Sequence, residues 1–136
     1  ENDASADTGS TNNSIDSDTD RTQVSYTWPT GKYIPIEDVY KLVTSLNRQM
    51  LLVNVSDEEF YNLGHIENSV KIPWDILGQN LDRVDPDRYI VLYCRRGVRS
   101  ESAYDTLIAA GYKTVWVMGD GGLEAWIAAG YPTVAN

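Results

Sequence analysis

The sequence predicts an α/β domain, with a mostly parallel central sheet of about five strands and helices on both faces. Three observations predict it. Short apolar runs rich in β-formers recur at residues 50–55, 89–93 and 114–118, and unbroken runs of this kind suit strands buried on both faces. Stretches with helical spacing or caps alternate with them, which is the pattern of crossover-connected parallel strands. Glycines follow the last apolar position of several of these stretches, at Gly64, Gly111 and Gly130, as helix stops do.

The elements follow in order. Residues 33–34 form a short first strand. Pro35 suits the first turn of a helix over 36–46, in which Ile36, Val39, Tyr40, Val43 and Leu46 share one face. Residues 50–55 read as a central strand. Ser56-Asp57-Glu58-Glu59 has the form of a capping box, with Ser56 as N-cap and Glu59 reaching back, opening a short helix that Gly64 ends. Residues 70–72 are a short strand stopped by Pro73, followed at most by a helical turn over 74–77 and a polar connection over 81–86. The strand over 89–93 runs into a helix over 100–110. A strand over 114–118, the turn Gly119-Asp120-Gly121-Gly122 and a last helix over 123–129 complete the chain. No internal repeat is present.

Charge divides the chain unevenly. The 136 residues carry a net charge of −9, and the first twenty hold six acids and no base. The other 116 residues hold fourteen acids and eleven bases, so no basic face for nucleic acid is expected. Residues 1–27 are rich in Asp, Ser, Thr and Asn, with Ile15 the one large aliphatic side chain among the first twenty-two. Such a segment buries too little apolar surface to offset its ordering entropy and is expected to be a disordered acidic tail, with the domain occupying 28–136. A chain that starts at Glu1 and runs into a polar spacer suggests an exported protein, periplasmic or at the cell surface, lipid-anchored through a leader not in this sequence. A trimmed cytoplasmic protein is the alternative. No apolar run has membrane-spanning length. A monomer is expected.

Chemistry concentrates in Cys94-Arg95-Arg96-Gly97-Val98-Arg99-Ser100, which holds the one cysteine and three of the eleven basic residues. It lies where a buried strand turns into a helix, the place where open α/β sheets bind small ligands. Inward-facing amides, the positive end of the following helix and three guanidinium groups all favour thiolate over thiol. The same cradle suits a small anion, and Gly97 permits a tight backbone that a Cβ would obstruct. A buried structural cysteine is the bland alternative, and three arginines within five residues argue against it. One Cys and one His lack metal-ligand spacing, so no metal site is expected.

This loop resembles the active-site loop of the rhodanese (sulfurtransferase) family, C-R-x-G-x-R-S. Leu52-Val53-Asn54-Val55, Glu58-Glu59-Phe60, Gly64-His65-Ile66, Ser69-Val70-Lys71-Ile72-Pro73 and Gly121-Gly122-Leu123-Glu124-Ala125-Trp126 are similar to further landmarks of that family in the same order. The resemblance implies Cys94 as the nucleophile that carries a persulfide, with Arg95, Arg96, Gly97, Val98 and Arg99 forming the substrate cradle. It implies no cofactor. Adjacent basic residues at 95 and 96 are similar to the branch of the family that uses thiosulfate, so the implied partners are a small anionic sulfur donor and a thiol or cyanide acceptor. His65 falls at a scaffold position by the same resemblance.

Phosphatases of related fold place five residues between Cys and Arg. Here four separate Cys94 from Arg99, a smaller ring that favours sulfur as the transferred group over a phosphatase or arsenate-reductase chemistry. A non-catalytic module for partner binding or sulfur sensing is the other alternative. One departure is clear: the family's Asp-Val-Arg after the second strand reads Asn54-Val55-Ser56. Hydrogen bonds from Asn54 are expected in place of an ion pair, because replacing both charges together leaves no buried charge unpaired.

Overall fold

A computed structural model describes residues 26–119 and 121–135; the expected disordered tail over 1–27 lies, for its residues 1–25, outside the described residues. Five strands form one sheet: β1 (Tyr33–Ile34), β2 (Met50–Asn54), β3 (Val70–Lys71), β4 (Tyr89–Tyr93) and β5 (Val115–Met118). Their spatial order is β1-β5-β4-β2-β3, and each of these pairings is parallel. The helices are α1 (Ile36–Thr44), α2 (Glu58–Leu63), α3 (Val98–Ala109) and α4 (Gly122–Ala128), with single 3-10 turns at Leu77–Gln79 and Leu81–Arg83.

The strands are apolar on both sides because each side is covered. Alternate residues of a strand face opposite ways, and two cores result. Leu52, Val91, Tyr93, Trp116 and Met118 pack with Val39 and Leu42 of α1 and Leu123 and Trp126 of α4. Val53, Ile90, Leu92, Cys94 and Val115 pack with Ala103 and Leu107 of α3 and with Leu77. The first core extends to Tyr26 and Trp28, whose rings lie 5.0 Å apart, and Trp28 lies 4.8 Å from Trp116. Tyr26 O–H also donates to Asp38 Oδ2 at 2.8 Å, so Tyr26, within the expected tail of 1–27, packs against the domain.

Three local expectations are corrected. The first helix stops at Thr44, and Leu46 leaves its apolar face, at φ 55° and 63% exposed. Asn47 N–H reaches back to Leu42 O and Leu46 N–H to Val43 O, a helix-ending motif whose turning residue takes the left-handed conformation. Second, Ser56 is not an N-cap. Asp57 precedes α2 and makes no side-chain cap, while the backbone N–H of Ser56 donates to Asn54 Oδ1 at 2.9 Å and its hydroxyl donates to the same oxygen. The neighbouring Asn side chain thus outcompetes the capping box as Ser56's partner. Third, α3 begins at Val98 and α4 at Gly122, each earlier than the apolar pattern alone predicts, because left-handed Gly97 and Gly121 turn the chain directly into the helices.

Candidate active site

β4 is the middle strand of the sheet, flanked by β2 and β5. The chain reaches β3 on one side of it before β4 and β5 on the other side after it, so the end of β4 is the point where the strand order reverses. Cys94 is the next residue. Its side chain continues the alternation of Ile90 and Leu92 toward α3, and only 2% of the residue is exposed. The residue lines an open cleft of about 330 Å³ together with Ser56, Asp57, Phe60, Arg95, Arg96, Val98 and Arg99. The cradle residues Arg95, Arg96, Val98 and Arg99 are therefore brought together around the thiol, and Gly97 supplies backbone rather than wall.

Gly97 N–H donates to Cys94 Sγ at 3.0 Å. Ser100 Oγ lies 3.6 Å from the sulfur and donates to Gly97 O at 3.0 Å, which ties the loop to the first turn of α3. Gly97 sits at φ 100°, a conformation that costs an L-residue roughly 1–2 kcal/mol. That conformation turns the chain from the loop directly into α3.

The loop is clamped from the other side by α4. Leu123 N–H donates to Cys94 O at 2.9 Å and Glu124 N–H to Arg95 O at 3.0 Å. A Cβ on Gly122 would stand 2.5 Å from Cys94 O, 3.0 Å from Gly97 N and 3.1 Å from Arg95 O. Helix and loop approach so closely that no side chain fits between them.

All three arginines have partners. Arg95 lies over the Phe60 ring, 4.5 Å from its centroid, with Nε 3.6 Å from Glu124 Oε2. Arg96 Nε donates to the same oxygen at 3.2 Å. Arg99 stacks over Trp74 at 4.3 Å. It does not pair with Glu101, which binds Lys32 and Tyr33 instead. Glu101 is held below the usual carboxylate range by the Lys32 hydrogen bond first and Tyr33 second.

Asn54 holds Ser56 at the cleft wall, and Tyr93, the residue before Cys94, anchors the end of β4 from the other face of the sheet. Tyr93 O–H is buried, accepts from Ile66 N–H at 2.9 Å and shares a hydrogen bond with Ser69 Oγ at 2.8 Å. Burial, the largest cause, pushes its phenol up to about 12. His65 lies away from the cleft: it stacks on Tyr61 at 3.7 Å, its Nδ1 contacts Tyr61 O at 2.8 Å, and its backbone bridges to Val134. Among the described residues no cluster of His, Cys, Asp and Glu could hold a metal ion.

Sequence reasoning missed Glu124 and Phe60 as neighbours of the cleft. Their only signal is membership of two ordered motifs far from the loop in the chain. It also missed a second cavity of about 270 Å³ that shares Ser56, Phe60 and Arg95 with the cleft and extends between α2 and α4, along Leu63, Leu123, Glu124 and Ile127.

Comparison with known proteins agrees with this geometry. Residues 36–129 match the family model of the rhodanese-like domain. The chain is 31% identical over 101 residues to tRNA uridine(34) hydroxylase of Photorhabdus laumondii, across 70% of this chain and 28% of that protein. It thus spans little more than a quarter of that relative's length. It is 28% identical over 89 residues to the thiosulfate sulfurtransferase GlpE of Vibrio cholerae, across 65% of this chain and 83% of that protein. Among solved structures, a rhodanese-related protein of Thermoplasma volcanium superposes with a TM-score of 0.69 at 25% identity, covering 78% of this chain and all of the other.

Proposed function

The chain belongs to the rhodanese-like domain family, and from that premise we propose that it is a sulfurtransferase that moves the sulfane sulfur of thiosulfate to cyanide or a thiol. The observation that carries this reading is the placement of Cys94: it lines an open cleft with Arg95, Arg96 and Arg99, and its Sγ accepts a hydrogen bond from the Gly97 amide.

The chemistry proceeds in two halves. The Cys94 thiolate attacks the outer sulfur of thiosulfate, a new S–S bond forms, and the S–S bond of the donor breaks with sulfite leaving. The acceptor's nucleophilic atom then attacks the outer sulfur of the persulfide, and the Cys94 thiolate departs. This is covalent catalysis with a carried group. The Gly97 N–H, already on the sulfur, stabilises the negative charge that sulfur bears in both half-reactions. Arg95 and Arg96 attract the dianionic donor.

Residues 21–136 hold fourteen acids and eleven bases, no excess of positive charge for a polyanion such as tRNA, which supports the small-anion reading over the activity named for the hydroxylase relative. The short Cys94-to-Arg99 spacing favours sulfur over phosphate as the transferred group.

The test is direct. Thiosulfate should add the mass of one sulfur atom to the protein and nothing to Cys94→Ser. Arg95→Ala with Arg96→Ala should raise the KM for thiosulfate. Failure of every sulfane donor to load Cys94 would instead favour a non-catalytic binding module, and phosphate release from an aryl phosphate would favour a phosphatase.

A further inference from the structure

We infer that the cavity beside the Cys94 cleft is the binding site for the hydrocarbon body of the acceptor, and that the acceptor is a small thiol carrying a compact, uncharged apolar group. This deepens the sulfurtransferase reading and rests on it. The cavity and the cleft share Ser56, Phe60 and Arg95 among their lining residues, so the two hollows adjoin. Its volume is about 270 Å³, and an apolar cavity of roughly 150 Å³ already takes a benzene ring.

Its walls are unusual for a surface. Leu63 is 79% exposed and Ile127 52% exposed, and they stand on two different helices, α2 and α4, on the two sides of the same hollow. Scattered exposed apolar residues need no explanation. Two large ones lining a hollow that adjoins the Cys94 cleft point to a ligand with matching apolar surface. The charged groups at the rim do not call for a charged ligand, since Arg95 and Glu124 face one another there.

In this arrangement the acceptor's hydrocarbon lies between Leu63 and Ile127 and its sulfur points at Cys94. The acceptor thiolate attacks the outer sulfur of the Cys94 persulfide. The bond from that sulfur to Cys94 breaks, an acceptor persulfide leaves, and the Cys94 thiolate is restored with no external oxidant or reductant. A polar, charged thiol such as glutathione gains nothing from the hollow.

Two arms test this on the full chain, where Cys94 is the only thiol. In the first, the resting protein reacts with benzyl or methyl methanethiosulfonate. A mixed disulfide forms on Cys94 and methanesulfinate leaves, without any sulfur transfer. The benzyl-to-methyl rate ratio, normalised to that of 2-mercaptoethanol as free thiol, should be about tenfold in the native protein. It should return toward one in Leu63→Ser with Ile127→Ser, and fall part of the way in Leu63→Ser alone. The high exposure of both residues lets these variants fold, which thermal melts verify.

In the second arm, protein preloaded by thiosulfate discharges its sulfur to benzyl mercaptan, 2-mercaptoethanol or glutathione, followed by mass and compared at equal thiolate concentration. Benzyl mercaptan should be fastest in the native protein and lose its advantage in the double variant. An unchanged ratio across variants in the first arm overturns the apolar site. A first-arm preference with no second-arm preference overturns the acceptor role. If thiosulfate fails to load Cys94, the sulfurtransferase reading fails while the first arm still decides the apolar site.

Discussion

Glu124 should act as an internal competitor of the anionic donor. Its Oε2 takes contacts from Arg95 Nε at 3.6 Å and Arg96 Nε at 3.2 Å, so a donor anion must displace it to engage both guanidinium groups. Glu124 is about half exposed, with its side chain at 54% of full accessibility, so solvent screens these pairs strongly. Exposed pairs are worth about 0.2–1 kcal/mol each, and two of them about 1 kcal/mol together. Glu124→Gln removes the charge and keeps the side-chain volume. The backbone bond from residue 124 N–H to Arg95 O also survives, so the clamp on the loop remains. The expected result is a KM for thiosulfate lowered about fivefold at low salt, since 1.4 kcal/mol corresponds to tenfold. The gap should close near 1 M salt, where the screening length is about 3 Å. Initial rates of thiosulfate-dependent thiocyanate formation measure it, beside a thermal melt. An unchanged or raised KM at low salt, in a variant of native stability, would refute the competition.

Three further outcomes are expected. Gly122→Ala should push the 94–97 loop out of place, because its Cβ would stand 2.5 Å from Cys94 O and the φ of 66° strains any side chain. A loss of roughly 2 kcal/mol in chemical denaturation, with slowed sulfur loading of Cys94, checks this. Tyr93→Phe should cost about 1–3 kcal/mol at neutral pH by stranding the buried Ile66 N–H. The Tyr93 phenol is raised in the fold, so its contribution is complete below the unfolded value of 10.0 and is lost as pH climbs toward about 12. Over that interval the native protein should lose stability more steeply than Tyr93→Phe, and a matched slope in alkaline denaturation titrations would contradict the assignment. For Glu101 the sign reverses. Its carboxyl is lowered from 4.5 by Lys32 and then Tyr33, so its contribution is present above 4.5 and fades as pH falls below it. Glu101→Gln should be slightly less stable than the native protein at pH 7, and the difference should vanish in acid; a constant difference across the titration would show that the pair does not contribute through charge.

The alternation of strand and helix was legible in the chain, because buried parallel strands need unbroken apolar runs and these are visible locally in 50–55, 89–93 and 114–118. So was the place of Cys94 at a strand-to-helix turn with its arginines, since those residues are adjacent in the chain. Where an element ends was less legible. The capping box at Ser56 and the reach of the first helix to Leu46 followed sound local rules. They gave way to an Asn54 side chain two residues upstream and to a helix-ending turn that is usually made by glycine. Only the tertiary structure decided what surrounds the thiol. Glu124 and Gly122 lie nearly thirty residues from the loop, and Phe60 more than thirty. They meet it because α4 and α2 pack at the same end of the sheet, where the strand order reverses. Spacing in one dimension carries no record of such a meeting, which is why the thiol and its adjacent arginines could be read from the chain and the walls that α2 and α4 contribute could not.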